Sequence, residues 1–177
     1  MITPLRLLLC ITAISVMSAC AAFKTTPNPR PRPSNPGSSS SSSSSSSMKM
    51  REEIADYGKK FVGVPYKYAG QSPSTGFDCS GFTYYVMKGF GYSLSPASAS
   101  QATTGKKVSL DKVLPGDLLF FGASEKKIQH VALIVKRDNS GITCVHSTSS
   151  RGVMVENVSK SSYWEPKILF ARNVIVK

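Results

Sequence analysis

Apolar positions follow two different rhythms along this chain, and the change falls near residue 110. Upstream, Ile54, Tyr57, Phe61 and Val62 recur at helical spacing. Glu52, Glu53 and Asp56 sit near the start of that run, where acids suit a helix N-terminus. Gly63-Val64-Pro65 is expected to end the helix. A second helix is expected from Ser80, with Phe82, Tyr85 and Val86 on its apolar side, closing near Gly89-Phe90-Gly91. Residues 92–110 read as a short capped helix or a loop. Downstream the apolar runs have strand length, at 117–121, 130–135, 142–146, 152–157 and 168–173. Turn signals separate them at Leu114-Pro115-Gly116 and at Arg137-Asp138-Asn139-Ser140-Gly141. Helices first and consecutive short strands after predict an α+β domain, its N-terminal helices packed on a central antiparallel β-sheet.

The first 48 residues follow neither rhythm. Residues 1–19 read as a secretory signal: Arg6, then an apolar stretch over 7–17 that is too short to span a bilayer. Met17-Ser18-Ala19-Cys20 resembles the lipobox of a bacterial lipoprotein. That resemblance implies cleavage before Cys20 and lipidation of its thiol, palmitate included; an ordinary signal peptide cut nearby is the alternative. Cys10 lacks a small residue before it and is not a second candidate. Residues 20–48 read as a tether. Its proline-rich part favours extended geometry, and the serine run over 38–47 is expected to be coil, because neither has apolar surface to offset its ordering entropy. The folded domain is expected over 49–177.

Composition narrows the function classes. The chain has 177 residues and a formal charge of +12. Of its four cysteines only Cys79 and Cys144 fall in the domain, which is too few for a disulfide scaffold, and no CxxC pair occurs. Basic pairs such as Lys59-Lys60, Lys106-Lys107 and Lys126-Lys127 are scattered. They read as a solvated surface or as attraction to a polyanion, either cell-wall polymer or membrane. No nucleic-acid-binding motif is present, so nucleic acid is not an expected partner.

The candidate chemistry centres on Gly76-Phe77-Asp78-Cys79-Ser80-Gly81-Phe82. Cys79 falls between a turn and a helix, where backbone N–H groups and the helix dipole favour a thiolate. Cys79 is thus the candidate nucleophile, and a small buried thiol at a helix start is the competing reading. The chain has two histidines, His130 and His146. A symmetric reversal at residues 137–141 sets them opposite each other, about 5 Å apart on one face. A slip of one residue puts them on opposite faces, and the sequence allows either. His130 can serve as base to Cys79, and His146 can orient His130. The Cys79 N–H and an upstream tyrosine hydroxyl are candidate oxyanion donors. A Cys/His/His zinc site fits by ligand type, but the spacing matches no common zinc motif, so no metal or other cofactor is expected. Cys144 reads as a small core residue, with a Cys79–Cys144 disulfide left open.

Asp78-Cys79-Ser80-Gly81-Phe82, Pro115-Gly116-Asp117-Leu118, His130-Val131-Ala132 and His146-Ser147 together resemble the NlpC/P60 cell-wall cysteine peptidases. The resemblance implies a papain-like fold and hydrolysis of peptidoglycan stem peptides, usually between γ-D-Glu and a diamino acid such as meso-diaminopimelate. It implies Cys79 as nucleophile, His130 as base and His146 as third polar residue. Tyr66, in Pro65-Tyr66-Lys67-Tyr68-Ala69-Gly70, matches the family's oxyanion-site tyrosine, while Asp78 and Ser80 are implied substrate contacts. The family often has Gly-Gly where this chain has Ala69-Gly70. The expected protein is a monomeric, lipid-anchored D,L-endopeptidase on the periplasmic face of an envelope membrane. An amidase of the same fold and a non-catalytic wall-binding lipoprotein remain the alternatives.

Overall fold

The computed structural model describes residues 40–175. The signal segment, Cys20 and the proline-rich part of the tether lie outside them. No helix of the described residues is long and apolar enough to cross a membrane.

The first helix, α1, runs Ser40–Lys59. Met50, Ile54, Tyr57 and Phe61 put its C-terminal half and the turn beyond onto the core. Gly58 lets it sit flush, since a Cβ there would lie 2.9 Å from Leu133 Cδ2 and 3.2 Å from Val145 Cγ1. The helix starts inside the serine run, which was expected to be coil. Extending a nucleated helix adds a hydrogen bond per residue fixed, and serine's propensity penalty is only about 0.5 kcal/mol per residue. Ser44 to Ser47 are exposed, so this part of the helix buries nothing.

A short hairpin follows, β1 (Gln71–Ser72) with β2 (Gly76–Phe77), leading directly into α2 (Cys79–Lys88). One turn of helix, α3 (Ser98–Gln101), precedes β3 (Lys106–Val108), an edge strand in the segment read as loop or helix. Three residues with a polar pair carry too little pattern to announce a strand. Then come β4 (Leu118–Ser124), β5 (Lys127–Asp138), β6 (Gly141–Thr148), β7 (Gly152–Asn157) and β8 (Ile168–Asn173). They form one antiparallel six-stranded sheet in the order β3-β8-β4-β5-β6-β7. The expected α+β class, with helices on an antiparallel sheet, is what the chain adopts.

Both sheet faces are covered, which is why β4 and β5 read as continuous apolar runs rather than alternations. Phe120, Val131, Leu133, Val145 and Phe170 face the helices with Ile54, Phe77 and Phe82. Leu119, Phe121, Ala132, Ile134 and Cys144 face the other way, under Val113, Val158 and Trp164. Arg51 ties α1 to the mouth of β4. Its Nη1 lies 2.8 Å from Asp117 Oδ1 and 3.0 Å from the Pro115 carbonyl, and both charged side chains are buried. Asp117 Oδ2 accepts from the Leu114 N–H at 2.9 Å. The Pro115-Gly116-Asp117 motif is therefore a buried anchor point.

Candidate active site

The segment carrying the candidate nucleophile is built around a helix cap. Asp78 is extended (φ −86°, ψ 179°) and its Oδ1 accepts the Gly81 N–H at 2.6 Å, so Cys79 opens α2. The Ser80 hydroxyl shares its proton between Asp78 Oδ1 at 3.1 Å and the Pro96 carbonyl at 2.8 Å. A Cβ at Gly81 would lie 2.0 Å from the Gly70 carbonyl oxygen, so only glycine fits. Asp78 Oδ1 and the Ser80 hydroxyl, of the two implied substrate contacts, are thus both engaged at the start of α2. Buried Gln101 braces the same turn, donating to the Ser80 and Ser95 carbonyls at 3.0 and 2.7 Å and accepting from Thr83 Oγ1 at 2.8 Å.

Tyr66 arrives beside Cys79 because residues 65–67 run along Phe77. The Phe77 N–H donates to the Pro65 carbonyl at 3.1 Å, and the Lys67 N–H donates to the Phe77 carbonyl at 3.0 Å. The same Phe77 carbonyl accepts the buried Ser147 hydroxyl at 2.7 Å. This bond ties the nucleophile segment to β6 one residue from His146. Ala69 takes a left-handed φ of 55°, a conformation that glycine adopts without strain.

The histidines are brought together by a bulge. At the turn, Asp138 pairs with Gly141, Arg137 with Ile142 and Lys136 with Thr143. Continued unbroken, that register would put His130 and His146 on opposite faces. Val135 is an extra residue, after which Ile134 pairs with Cys144 and Leu133 with Val145. The shifted register sets His146 opposite Ala132, so the histidines are diagonal neighbours on one face and not the directly opposed pair of a symmetric hairpin. The diagonal suffices: His130 Nε2 and His146 Nδ1 are 2.9 Å apart.

Trp164 stacks on His130, with centroids 4.4 Å apart and planes at 26°, and it also meets His146 at 5.2 Å. Phe121 meets His130 at 5.5 Å and Trp164 at 5.2 Å, so the three rings form one cluster. His146 is fully buried. Its Nε2 points toward Glu156 Oε2 at 3.6 Å, and Arg151 Nη2 reaches that oxygen at 3.4 Å. A cleft of about 540 Å³ opens over this group, its wall including Tyr66, Cys79, His130, Glu156, Trp164 and Lys167.

Burial pushes the Cys79 thiol above its ordinary pKa, and Asp78 acts in the same direction, while the backbone N–H groups of Val131, Ser80 and Cys79 pull it back. Desolvation outweighs the N–H groups, so the net shift of Cys79 runs against the pull of the helix start. Burial also holds His130 well below the usual histidine range, with His146 adding to the effect. His146 is pushed down to about 4 by burial, against the opposing pull of Glu156. Burial raises the Tyr66 hydroxyl, with Cys79 and Asp78 contributing. The resting site is a neutral thiol near a neutral imidazole, an arrangement suited to general-base activation.

Cys79 and Cys144 are both free, and Cys144 is a fully buried core residue. Among the described residues no cluster of His, Cys, Asp and Glu could hold a metal ion. Sequence reasoning does not single out Glu156 or Trp164. Trp164 is the single tryptophan of the chain and sits just before the last strand. Glu156 becomes visible once the face-sharing argument for the histidines is carried over the next hairpin.

The NlpC/P60 family model matches residues 63–173. Over 126 residues the chain is 36% identical to the Gamma-DL-glutamyl hydrolase of Bacillus subtilis, a match covering 70% of this chain and 30% of that protein. The chain therefore spans less than a third of that relative's length. It is 31% identical over 124 residues to the probable endopeptidase NlpC of Escherichia coli, covering 68% of this chain and 76% of that one. A crystal structure of an NlpC/P60 family protein from Bacillus cereus superposes with a TM-score of 0.64 at 29% identity, over 71% of this chain and 40% of that chain. The papain-like α+β architecture, the family match and these likenesses agree: this chain belongs to the NlpC/P60 family.

Proposed function

We propose that the domain is a peptidoglycan hydrolase, a cysteine endopeptidase that cuts stem peptides between γ-D-Glu and a diamino acid, meso-diaminopimelate above all. The observation that carries this reading is the meeting of Cys79, Tyr66 and His130 on one cleft, with His130 Nε2 held 2.9 Å from His146 Nδ1. The name of the Bacillus subtilis relative supports a γ-glutamyl bond.

In this reading His130 uses its remaining ring nitrogen, Nδ1, to take the Cys79 proton as Sγ attacks the scissile carbonyl. The Cys79 N–H and the Tyr66 hydroxyl hold the oxyanion. The intermediate collapses, the C–N bond breaks, and His130 returns the proton to the leaving amine. Water then adds to the thioester with His130 again as base, releasing the γ-D-Glu carboxylate and the free thiol. Trp164, stacked on one face of the His130 ring and backed by Phe121, holds the ring in place and keeps water from that face.

The same reading puts the domain at the bacterial envelope on a lipid anchor at Cys20, with the chain between as tether; the lipobox-like Met17-Ser18-Ala19-Cys20 supports it. Replacement Cys20→Ala is expected to release the protein from the membrane fraction, and retention there would refute lipidation at Cys20.

The test of the activity is digestion of purified muropeptides by the reduced chain from residue 21 onward, with Cys79→Ala in parallel and mass spectrometry of the products. Expected is a new amine on the diamino acid, absent with the variant. A new N-terminus on L-Ala would make the protein an amidase instead. Pelleting with cell wall without cleavage would make it a wall-binding protein.

A further inference from the structure

His130 and His146 belong to a longer row. Cys144 pairs with Glu156 and His146 with Met154, so residues 144, 146, 154 and 156 share a face. With His146 opposite Ala132 in β5, the step from His130 to His146 and the step from His146 to Glu156 are the same diagonal. The row crosses β5, β6 and β7 in a straight line. His130 Nε2 to His146 Nδ1 is 2.9 Å, and His146 Nε2 to Glu156 Oε2 is 3.6 Å.

The second step is too long for a formed hydrogen bond, and His146 Nε2 is buried without a partner. A buried ring nitrogen with no acceptor leaves its tautomer undetermined, and here the tautomer decides whether the base works. His130 accepts a proton at Nδ1 only when its own proton is on Nε2. That N–H must then donate to a bare His146 Nδ1, so His146 must carry its proton on Nε2. The opposite tautomer of His146 presents N–H at Nδ1, which forces the proton of His130 onto Nδ1 and leaves no base for Cys79. The charge closest to His146 Nε2 is the Glu156 carboxylate, which favours a proton there.

We infer that Glu156 is a positioning residue that selects the working tautomer of both histidines through His146, extending the row behind Cys79 to a fourth member. Its carboxylate touches no reacting atom. Arg151, with its side chain 60% exposed, reaches the same carboxylate oxygen at 3.4 Å from the solvent side. The hydrolytic part of this inference rests on the peptidase reading; the proton assignment does not.

The test uses the reduced chain from residue 21 onward and its Glu156→Leu and Glu156→Gln variants. Ring 15N spectra report the tautomer of each histidine directly, and the alkylation rate of Cys79 by iodoacetamide reports the base without any peptide substrate. In the parent both histidines are expected as Nε2–H tautomers. Glu156→Leu is expected to show mixed tautomers, alkylation slowed by about 10- to 100-fold, and kcat on muropeptides lowered by the same factor with KM within about twofold. Glu156→Gln keeps a carbonyl acceptor and is expected to recover most of the tautomer and the rate. Unchanged tautomers and alkylation within about twofold in Glu156→Leu would overturn the inference, as would parent histidines protonated on Nδ1. A parent that cleaves no muropeptide yet shows these tautomer and alkylation changes would refute the peptidase reading alone. If Glu156→Leu does not fold, Glu156→Ala, which also lacks an acceptor, decides by the same two readouts: mixed tautomers with slowed alkylation support the assignment, and unchanged tautomers with alkylation within about twofold overturn it.

Discussion

Acid should destabilise this domain, and buried His146 carries a part of the loss that can be worked out from its shift. In the folded chain burial pushes His146 down to about 4, whereas an unfolded histidine titrates near its ordinary value of 6.5. Above the unfolded value both states are neutral and the folded chain keeps its full stability. As pH falls through 6.5, the unfolded chain takes up a proton that the folded one refuses. Each further pH unit then costs about 1.4 kcal/mol, until the folded histidine also titrates near pH 4. The loss from His146 alone totals about 3 kcal/mol, a large share of the 5–15 kcal/mol typical of a domain. His130, also held low by burial, adds in the same direction. The assay is urea unfolding at pH 7.5 and pH 4, followed by the fluorescence of Trp164, the single tryptophan, which stacks on His130. Replacement His146→Gln removes the titrating ring while keeping an amide to meet His130, and comparing the two proteins cancels the contribution of the carboxylates. The variant should lose about 3 kcal/mol less than the parent over this interval, at an unchanged m-value. Equal losses in the two proteins would refute the claim that burial of His146 carries this part of the loss.

Three further outcomes follow from the geometry. Replacement Asp117→Ala leaves the Arg51 guanidinium buried without its counter-ion and should cost about 3–5 kcal/mol in urea unfolding, whereas a loss under 1 kcal/mol would show that the guanidinium finds water. Replacement Ala69→Gly relieves the left-handed φ of 55° and should stabilise by about 1 kcal/mol, read as a rise of a few degrees in Tm; a fall would show that the loop gains more from the methyl group than it loses in strain. Replacement Ser147→Ala removes the bond to the Phe77 carbonyl, at about 1 kcal/mol in stability, and should lower kcat on muropeptides more than it raises KM, because it loosens the nucleophile segment against the histidine strand; an unchanged kcat would separate that bond from catalysis.

How far the sequence could be read depended on whether each signal was local. Helix α2 and its start at Cys79 were legible because the turn, the capping Asp78 and the apolar positions lie within a few residues of one another. Strands β4 to β8 were legible as apolar runs of the right length. The histidine pair was legible in kind and not in register, because the extra residue at Val135 has no local signature: a valine inside an apolar strand looks the same whether or not it is bulged. Asp78 and Ser80 also hold the start of α2, through Asp78 Oδ1 and the Ser80 hydroxyl, a use that adjacency to Cys79 does not announce because the Pro96 partner is distant in sequence. The serine run misled because composition speaks for an isolated segment, and this one continues a helix already packed on the sheet. Glu156 and Trp164 lie far from Cys79 in sequence and reach the site only through the sheet and a return loop.

The bulge at Val135 divides the β5–β6 hairpin into two independent registers. On the turn side the strands carry Lys136, Arg137 and Asp138 at the surface; on the other side they carry the histidine row. Residues added in pairs at the tip lengthen the ribbon without touching the chemistry. Deleting Val135 alone would restore a regular ladder and leave His146 opposite Ala132, because both histidines lie on the same side of the bulge; what would separate them is Val135 taken into the ladder, which slips His146 opposite Leu133 and onto the other face from His130. The spare residue is thus a length buffer: a single residue lost from this strand at the bulge leaves both histidines on the face that they now share and the motifs around them unmoved.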